Sequence, residues 1–277
     1  MGLVALGINP QGRRLARHLM QPCPSITDLS ASCTPHMASA FLHAPDGPEQ
    51  PSIFDQPQRA HTWQRMSLTL RQGPWFACCS AILVPPADNI WGQDRQHFVS
   101  LWAEGLGLLI GQGNSRNQPP WSTFVVAAPA GRRYLPDRSG LLADGVWLDY
   151  GPTRCSLRLQ LDQAEARILA ALAGAAEPTT LQLQLRLRPG LTLRLSDGSS
   201  HQLGTQPVRI EQPPGTLSIG PDRWSIDLPR PWSLDWPVRP FNPYAKDGYA
   251  PIAQAAAILA LPLSADNPTQ LTVRPGS

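Results

Sequence analysis

The chain has 277 residues, a net charge of +3 at pH 7, and 42% hydrophobic against 16% charged residues. That composition can fill the core of one large domain, or of a domain with an appendage, and it excludes a chain held open by its own charge. The 31 prolines and 22 glycines exclude long helices over most of the length.

The N-terminal MGLVALGINPQGRRLARHL has glycine, proline and a charged cluster where a leader needs a continuous apolar core, so no signal peptide is expected. The compartment stays open. GRRLARHLM places Leu15, His18 and Leu19 on one side of a helix. SITDLSASC offers Ser25 or Thr27 as an N-cap, and HMASAFLHA is helical by composition. These pieces predict a short helical appendage over residues 1–45. APDGPEQPSIFDQPQR follows with four prolines, which predicts a linker over 46–60.

From residue 61 to 277 strand signals dominate. WQRMSLTL and HFVSLWAE alternate, and PWFACCSAILV reads as a strand buried on nearly both faces. LGLLIGQG, STFVVAA, DGVWLDY and RCSLRLQLD add further strands. LQLQLRLRPGLTLRLSDGSS is the clearest: Leu181, Leu183, Leu185 and Leu187 share one face, Gln and Arg fill the other, and PG and DG supply turns. ARILAALAG suits helix or strand, and its neighbours favour strand. TLSIGPDRWSIDL reads as a hairpin with GPD at its tip, and LTVRP closes the chain. The late run from Ala255 to Leu263 is interrupted by Pro262 and is too short to span a bilayer. Roughly a dozen strands without alternating helices predict a mainly β fold, a large antiparallel β-sandwich.

Lys246 is the only lysine, and the arginines are scattered with no RNA- or DNA-binding signature, so neither nucleic acid nor a membrane is an expected partner. Cys78 and Cys79 are neighbours on a strand and face opposite ways, so free thiols are expected. The six histidines show no HxH or HExxH spacing, and no metal site or cofactor is expected. GQGNSR lacks the third glycine of a dinucleotide fingerprint, and Pro119 and Pro120 forbid the helix that should follow. It reads as a polar turn or as a sugar-facing loop. In the second case Asn114, Arg116, Asn117 and Gln118 supply donors and acceptors, and Trp121 supplies a flat face. Arg95 and His97 share one side of the approach to HFVSLWAE, and His97 can act as acid or base. Asp144 with Asp149, or Asp222 with Asp227, are candidate carboxylate pairs, with nothing to select either. Trp224, Trp232 and Trp236 lie in a proline-rich segment that forms a surface strip or packs inward.

WGQDRQHFVSLW and LGLLIGQGNSRNQPPWSTF resemble the β-sandwich region of heparinase II/III-like polysaccharide lyases. In that family a helical toroid precedes a large antiparallel supersandwich, and the likeness runs from residue 11 onward. It implies the supersandwich here, with the helical appendage as a remnant of the toroid. It also implies acidic polysaccharide or oligosaccharide as ligand, and a helical toroid domain or subunit as partner. The family's reaction is β-elimination: a uronate carboxylate is neutralised while a base takes the C5 proton. Arg95, Asn114 or Arg116 would neutralise, and His97 or Tyr134 would be the base. Most of the family's catalytic residues lie on a toroid for which this chain has no room. The expected function is therefore a carbohydrate-associated module without catalysis of its own. The alternatives are an active lyase, and an interaction domain using residues 224–244 or the appendage.

Overall fold

The computed structural model describes residues 58–84, 88–89, 91–111, 115–174 and 177–276. The chain divides into two units, Met1–Arg59 and Ala60–Ser277. The expected helical appendage over 1–45, and the linker up to residue 57, lie outside the described residues.

The described part of the chain is mainly β, as the alternation predicts. Its strands in chain order are β1 (Gln58–Trp63), β2 (Ser67–Gln72), β3 (Trp75–Ser80), β4 (Val99–Ala103), β5 (Gly107–Ile110), β6 (Phe124–Ala128) and β7 (Gly131–Arg133). Then come β8 (Arg138–Leu142), β9 (Gly145–Tyr150), β10 (Thr153–Leu161), β11 (Ala166–Gly174), β12 (Thr179–Leu185), β13 (Thr192–Arg194) and β14 (Ser200–Gln202). The last are β15 (Val208–Gln212), β16 (Gly215–Ile219), β17 (Trp224–Leu228), β18 (Trp232–Val238), β19 (Ala256–Leu263) and β20 (Thr269–Pro275). A single helical turn, Gly220–Arg223, tips the expected β16–β17 hairpin.

Two antiparallel sheets result. One runs β1-β2-β3-β4-β5-β12-β19-β18-β15, with β6 joined to β12 and β7 to β6. The other runs β14-β13-β16-β17-β20-β11-β10-β9-β8. The ambiguous ARILAALAG is strand β11, paired along its whole length with β10. Its tertiary pairing overrides the helix propensity of its alanines.

The core follows from the period of two. Leu181, Leu183 and Leu185 of β12 join Ala257, Leu259 and Leu261 of β19 on one inner face. Cys155, Leu157 and Leu159 of β10, Ile168 of β11, and Leu271 and Val273 of β20 belong to the same buried cluster. Trp224, Trp232 and Trp236 are core residues, so the proline-rich segment packs inward. The Trp236 indole donates to the Gly204 carbonyl at 2.9 Å. Cys78 is half-buried, Cys79 and Cys155 are buried, and all three are free thiols. Among the described residues, no helix is long and apolar enough to cross a membrane.

Leu183 is fully buried at the centre of β12. Leu183→Ala is expected to lower unfolding free energy by about 2–5 kcal/mol in a urea titration, because the sheets cannot collapse into the cavity.

Candidate functional site

The outer face of the first sheet carries an open trough of about 1040 Å³. Its floor is set by strand register. Gln182 of β12, Ala260 of β19, Ser233 of β18 and Glu211 of β15 lie opposite one another in a row across the sheet. A second row continues through Ile258, Asp235 and Arg209. A third joins Val125, Thr180 and Pro262. These are the outward positions of strands whose inward positions build the core. The small side chains of Ala260, Ser233 and Thr180 leave the central space. Pro119, Pro120 and Arg132 wall one side, and Pro213 and Pro231 border the other.

Arg209 fixes the charged end of the floor. Its Nη1 donates to both Asp235 carboxylate oxygens at 3.0 Å, and its Nε donates to Glu211 Oε1 at 2.8 Å. The two carboxylates are thus held apart in a planar array of acceptors. Glu211, and then Asp235, hold the guanidinium above its ordinary range.

The wall at Pro119–Pro120 belongs to the sequence's polar loop, and β12 holds it. The Gln184 amide donates to the Trp121 carbonyl at 3.0 Å. The Gln182 amide nitrogen donates to the Ser122 and Pro119 carbonyls at 3.0 and 2.9 Å. Trp121 is 0% exposed, and its ring packs on Ala256 and Ile258. It therefore presents no flat face to a sugar. It plugs the outer face of the sheet.

The other loop residues are also engaged. Gly111 has φ +96°, and a Cβ there would stand 2.9 Å from the Val99 carbonyl, so glycine is required. Asn114 lies outside the described residues. Arg116 donates to the Asn89 carbonyl and lies over the Phe241 ring at 5.6 Å. Asn117 has φ +50°, and its N–H donates to Asp94 Oδ2 at 2.8 Å. Gln118 donates to the Arg239 carbonyl at 3.0 Å and accepts the Phe241 N–H at 2.9 Å. Asp94 is buried and serves as the hub of this corner. It also receives Ser115 Oγ at 3.2 Å and the Gln96 amide.

Arg95 and His97 sit on the segment leading into β4. Arg95 Nε and His97 Nδ1 are buried and have no hydrogen-bond partner. Burial, then the Arg95 charge, pushes the His97 pKa from 6.5 to about 4. Burial also lowers the Arg95 pKa, against the opposing pull of Cys78. Tyr134 lies on the stretch after β7, and its carbonyl accepts Ser122 Oγ at 2.5 Å. Its phenol pKa is raised by burial and then by the Asp94 charge, which leaves less phenolate available as a base at neutral pH. The paired-carboxylate candidates are tied up in ion pairs. Asp149 binds Arg138 and Arg154, Asp144 binds Arg158, and Asp227 binds Arg274. The Asp222 side chain is outside those described.

The structure thus gathers Arg116, Asn117, Gln118 and Trp121 around one loop, beside the segment of Arg95 and His97. It uses most of them to build that corner. Sequence reasoning missed the trough residues Thr180, Ser233, Asp235, Arg209 and Glu211. Gln182 was readable as outward-facing, but its neighbours arrive from strands far along the chain.

The sequence matches no family model, and no curated protein matches it. The structure is similar to a candidate aldose 1-epimerase from Escherichia coli K12, with TM-score 0.44 and 10% identity, over 74% of this chain and 97% of that one. It is similar to a 4-alpha-glucanotransferase from Thermococcus litoralis, with TM-score 0.43 and 11% identity, over 79% of this chain and 39% of that one. It is also similar to a Paenibacillus xanthan lyase, with TM-score 0.47 and 8% identity, over 87% of this chain and 27% of that one. The chain therefore spans well under half the length of the last two. Similarity at this level fixes neither a family nor an activity.

Two outcomes follow from the corner's chemistry. Gln118→Ala strands an N–H and a carbonyl of the 239–241 segment, and is expected to cost about 1–3 kcal/mol in unfolding free energy. Amide exchange at Phe241 should quicken in the same variant. His97 is neutral in both states above pH 6.5. As pH falls from 6.5 towards about 4, the unfolded chain takes up a proton that the folded chain refuses. Stability should therefore fall through that window, by about 3 kcal/mol at its lower end. Urea titrations at pH 7 and pH 4.5 should show a smaller loss in His97→Gln than in the wild type.

Proposed function

We propose that this chain is a carbohydrate-associated β-sandwich module that binds an oligosaccharide along the trough and carries no catalysis of its own. The observation that carries this reading is the make-up of the trough floor. C–H surface from Ala260 and Pro262 is interleaved with Thr180, Gln182, Ser233, Asp235 and Arg209. A sugar ring offers the same mixture, an apolar C–H face edged by hydroxyl groups. The trough is open along its length, which suits an extended chain better than a small molecule closed on all sides. Donors and acceptors stand on paired strands, so little ordering is needed on binding.

The narrower reading, a heparinase II/III-like lyase with His97 or Tyr134 as base, finds little support in this geometry. A base needs access to the substrate and a pKa near the working pH. Burial works against both at His97. Ultraviolet detection of unsaturated uronate would overturn the non-catalytic reading directly.

Titration calorimetry against a panel of neutral and acidic oligosaccharides tests the trough. At least one member should bind. Asp235→Asn should weaken binding by about tenfold, the loss of one charged hydrogen-bond acceptor at the site. Ala260→Trp adds bulk to the floor while removing no polar group, and should abolish binding without lowering the melting temperature. Unchanged binding in a folded Ala260→Trp protein would place the ligand elsewhere.

A further inference from the structure

Away from the trough floor, two loops present aromatic rings in a repeated way. The loops are residues 88–94 and 239–250. Trp91 is 56% exposed, Tyr244 is 83% exposed and Tyr249 is 46% exposed. Each ring follows an Asx turn by two residues. Trp91 N–H donates to Asn89 Oδ1 at 3.0 Å, Tyr244 N–H to Asn242 Oδ1 at 3.0 Å, and Tyr249 N–H to Asp247 Oδ1 at 3.1 Å. The side-chain oxygen closes the turn and fixes the backbone that carries the ring.

Two of the rings also meet. Trp91 and Tyr244 have centroids 5.2 Å apart, with their planes at 50°. They come from loops some 150 residues apart in sequence, joined through Arg116 and Gln118. Arg116 binds the Asn89 carbonyl and covers Phe241, while Gln118 binds the backbone at 239 and 241. Arg239 braces the second loop from below. It donates to the Ala250 carbonyl at 2.7 Å and to Asp247 Oδ2 at 2.7 Å, and it faces the Tyr249 ring at 5.4 Å. A bridge between Phe241 and Tyr249 closes the loop's base.

We propose that Trp91, Tyr244 and Tyr249 form a preorganised stacking platform for the pyranose rings of a polysaccharide, a second carbohydrate contact distinct from the trough. The surroundings select the occupant. Among the described residues of the two loops, the other exposed side chains are Asp88, Asn89, Lys246 and Asp247. All four are polar, and none is aliphatic. A protein hot spot or a lipid surface would call for apolar side chains around the rings. Rings edged by donors and acceptors match a sugar, whose C–H face stacks while its hydroxyls bond sideways. Fixing the rings before binding lowers the ordering cost, which rings on loose loops would bear in full.

The test uses the full chain and affinity electrophoresis in gels containing hydroxyethyl cellulose, xylan, alginate or xanthan. The wild type should be retarded by at least one of them. Trp91→Ala with Tyr244→Ala should weaken that retardation by about tenfold or more, as expected for loss of central aromatic anchors. Asn89→Ala with Asn242→Ala keeps both rings and should still weaken binding severalfold. Melting temperatures near the wild-type value confirm folding. Retardation unchanged in the ring variant overturns the platform, and so does a wild type that migrates freely in all four gels. Loss in Ala260→Trp alone leaves the trough standing without the platform, and loss in the ring variant alone does the reverse. Concentration-dependent light scattering that disappears with the two rings would show self-association instead, and would also overturn the proposal.

Discussion

Strand β12 makes contacts on both of its faces, and most of the molecule depends on that double use. Its leucines point inward and tie the two sheets into one core. Its glutamines point outward and hold the backbone of residues 119–122. A strand offers this because successive side chains face opposite ways, so core and surface are set by one register. The grip then passes along the chain. Residues 119–122 carry Gln118, Gln118 fixes the backbone at 239–241, and that backbone is the root of the loop holding Tyr244 and Tyr249. A slip of β12 by one residue would expose its leucines and release the whole series.

The proposed trough and platform would meet the same recognition problem with different material. The trough uses strands, where hydrogen-bonded neighbours fix the position of each side chain. The platform uses loops, which lack that support and gain it from Asx turns and arginine braces. Both offer C–H surface beside polar groups, and both are held by hydrogen bonds within the protein, strand pairing in one and Asx turns in the other. A ligand bound there would then spend little energy on ordering the protein.

The architecture was legible because it rests on a local pattern. The alternation in LQLQL and RCSLRLQL gave β12 and β10; the late apolar run, read only as too short to span a bilayer, holds strand β19 (Ala256–Leu263), whose first four residues are buried. Shorter strands such as β7, β13 and β14 have three residues each, too few to show a period. The site was far less legible. Trp121 read as a sugar platform because exposure is not written in a residue's identity, and its burial arises from Ala256 and Ile258, more than 130 residues away in sequence. Arg116 and Gln118 read as ligand contacts because their donors looked unspent. They are spent on loop backbone that only the folded topology brings near. The N-x-W, N-x-Y and D-x-Y spacings were visible in the sequence, but their recurrence gains meaning only once Trp91 and Tyr244 are seen to touch.

The Asx turns have an evolutionary side. Each is closed by the backbone N–H of the aromatic residue and not by its ring, so the turn survives whatever ring is attached. Exchange of Trp, Tyr and Phe at positions 91, 244 and 249 leaves the hydrogen bond that closes each turn in place. Ring size and edge polarity can therefore change with the turn kept, and on the proposed reading this would retune ligand preference at a fixed backbone. A lineage of such chains would vary most in chemistry where its backbone varies least.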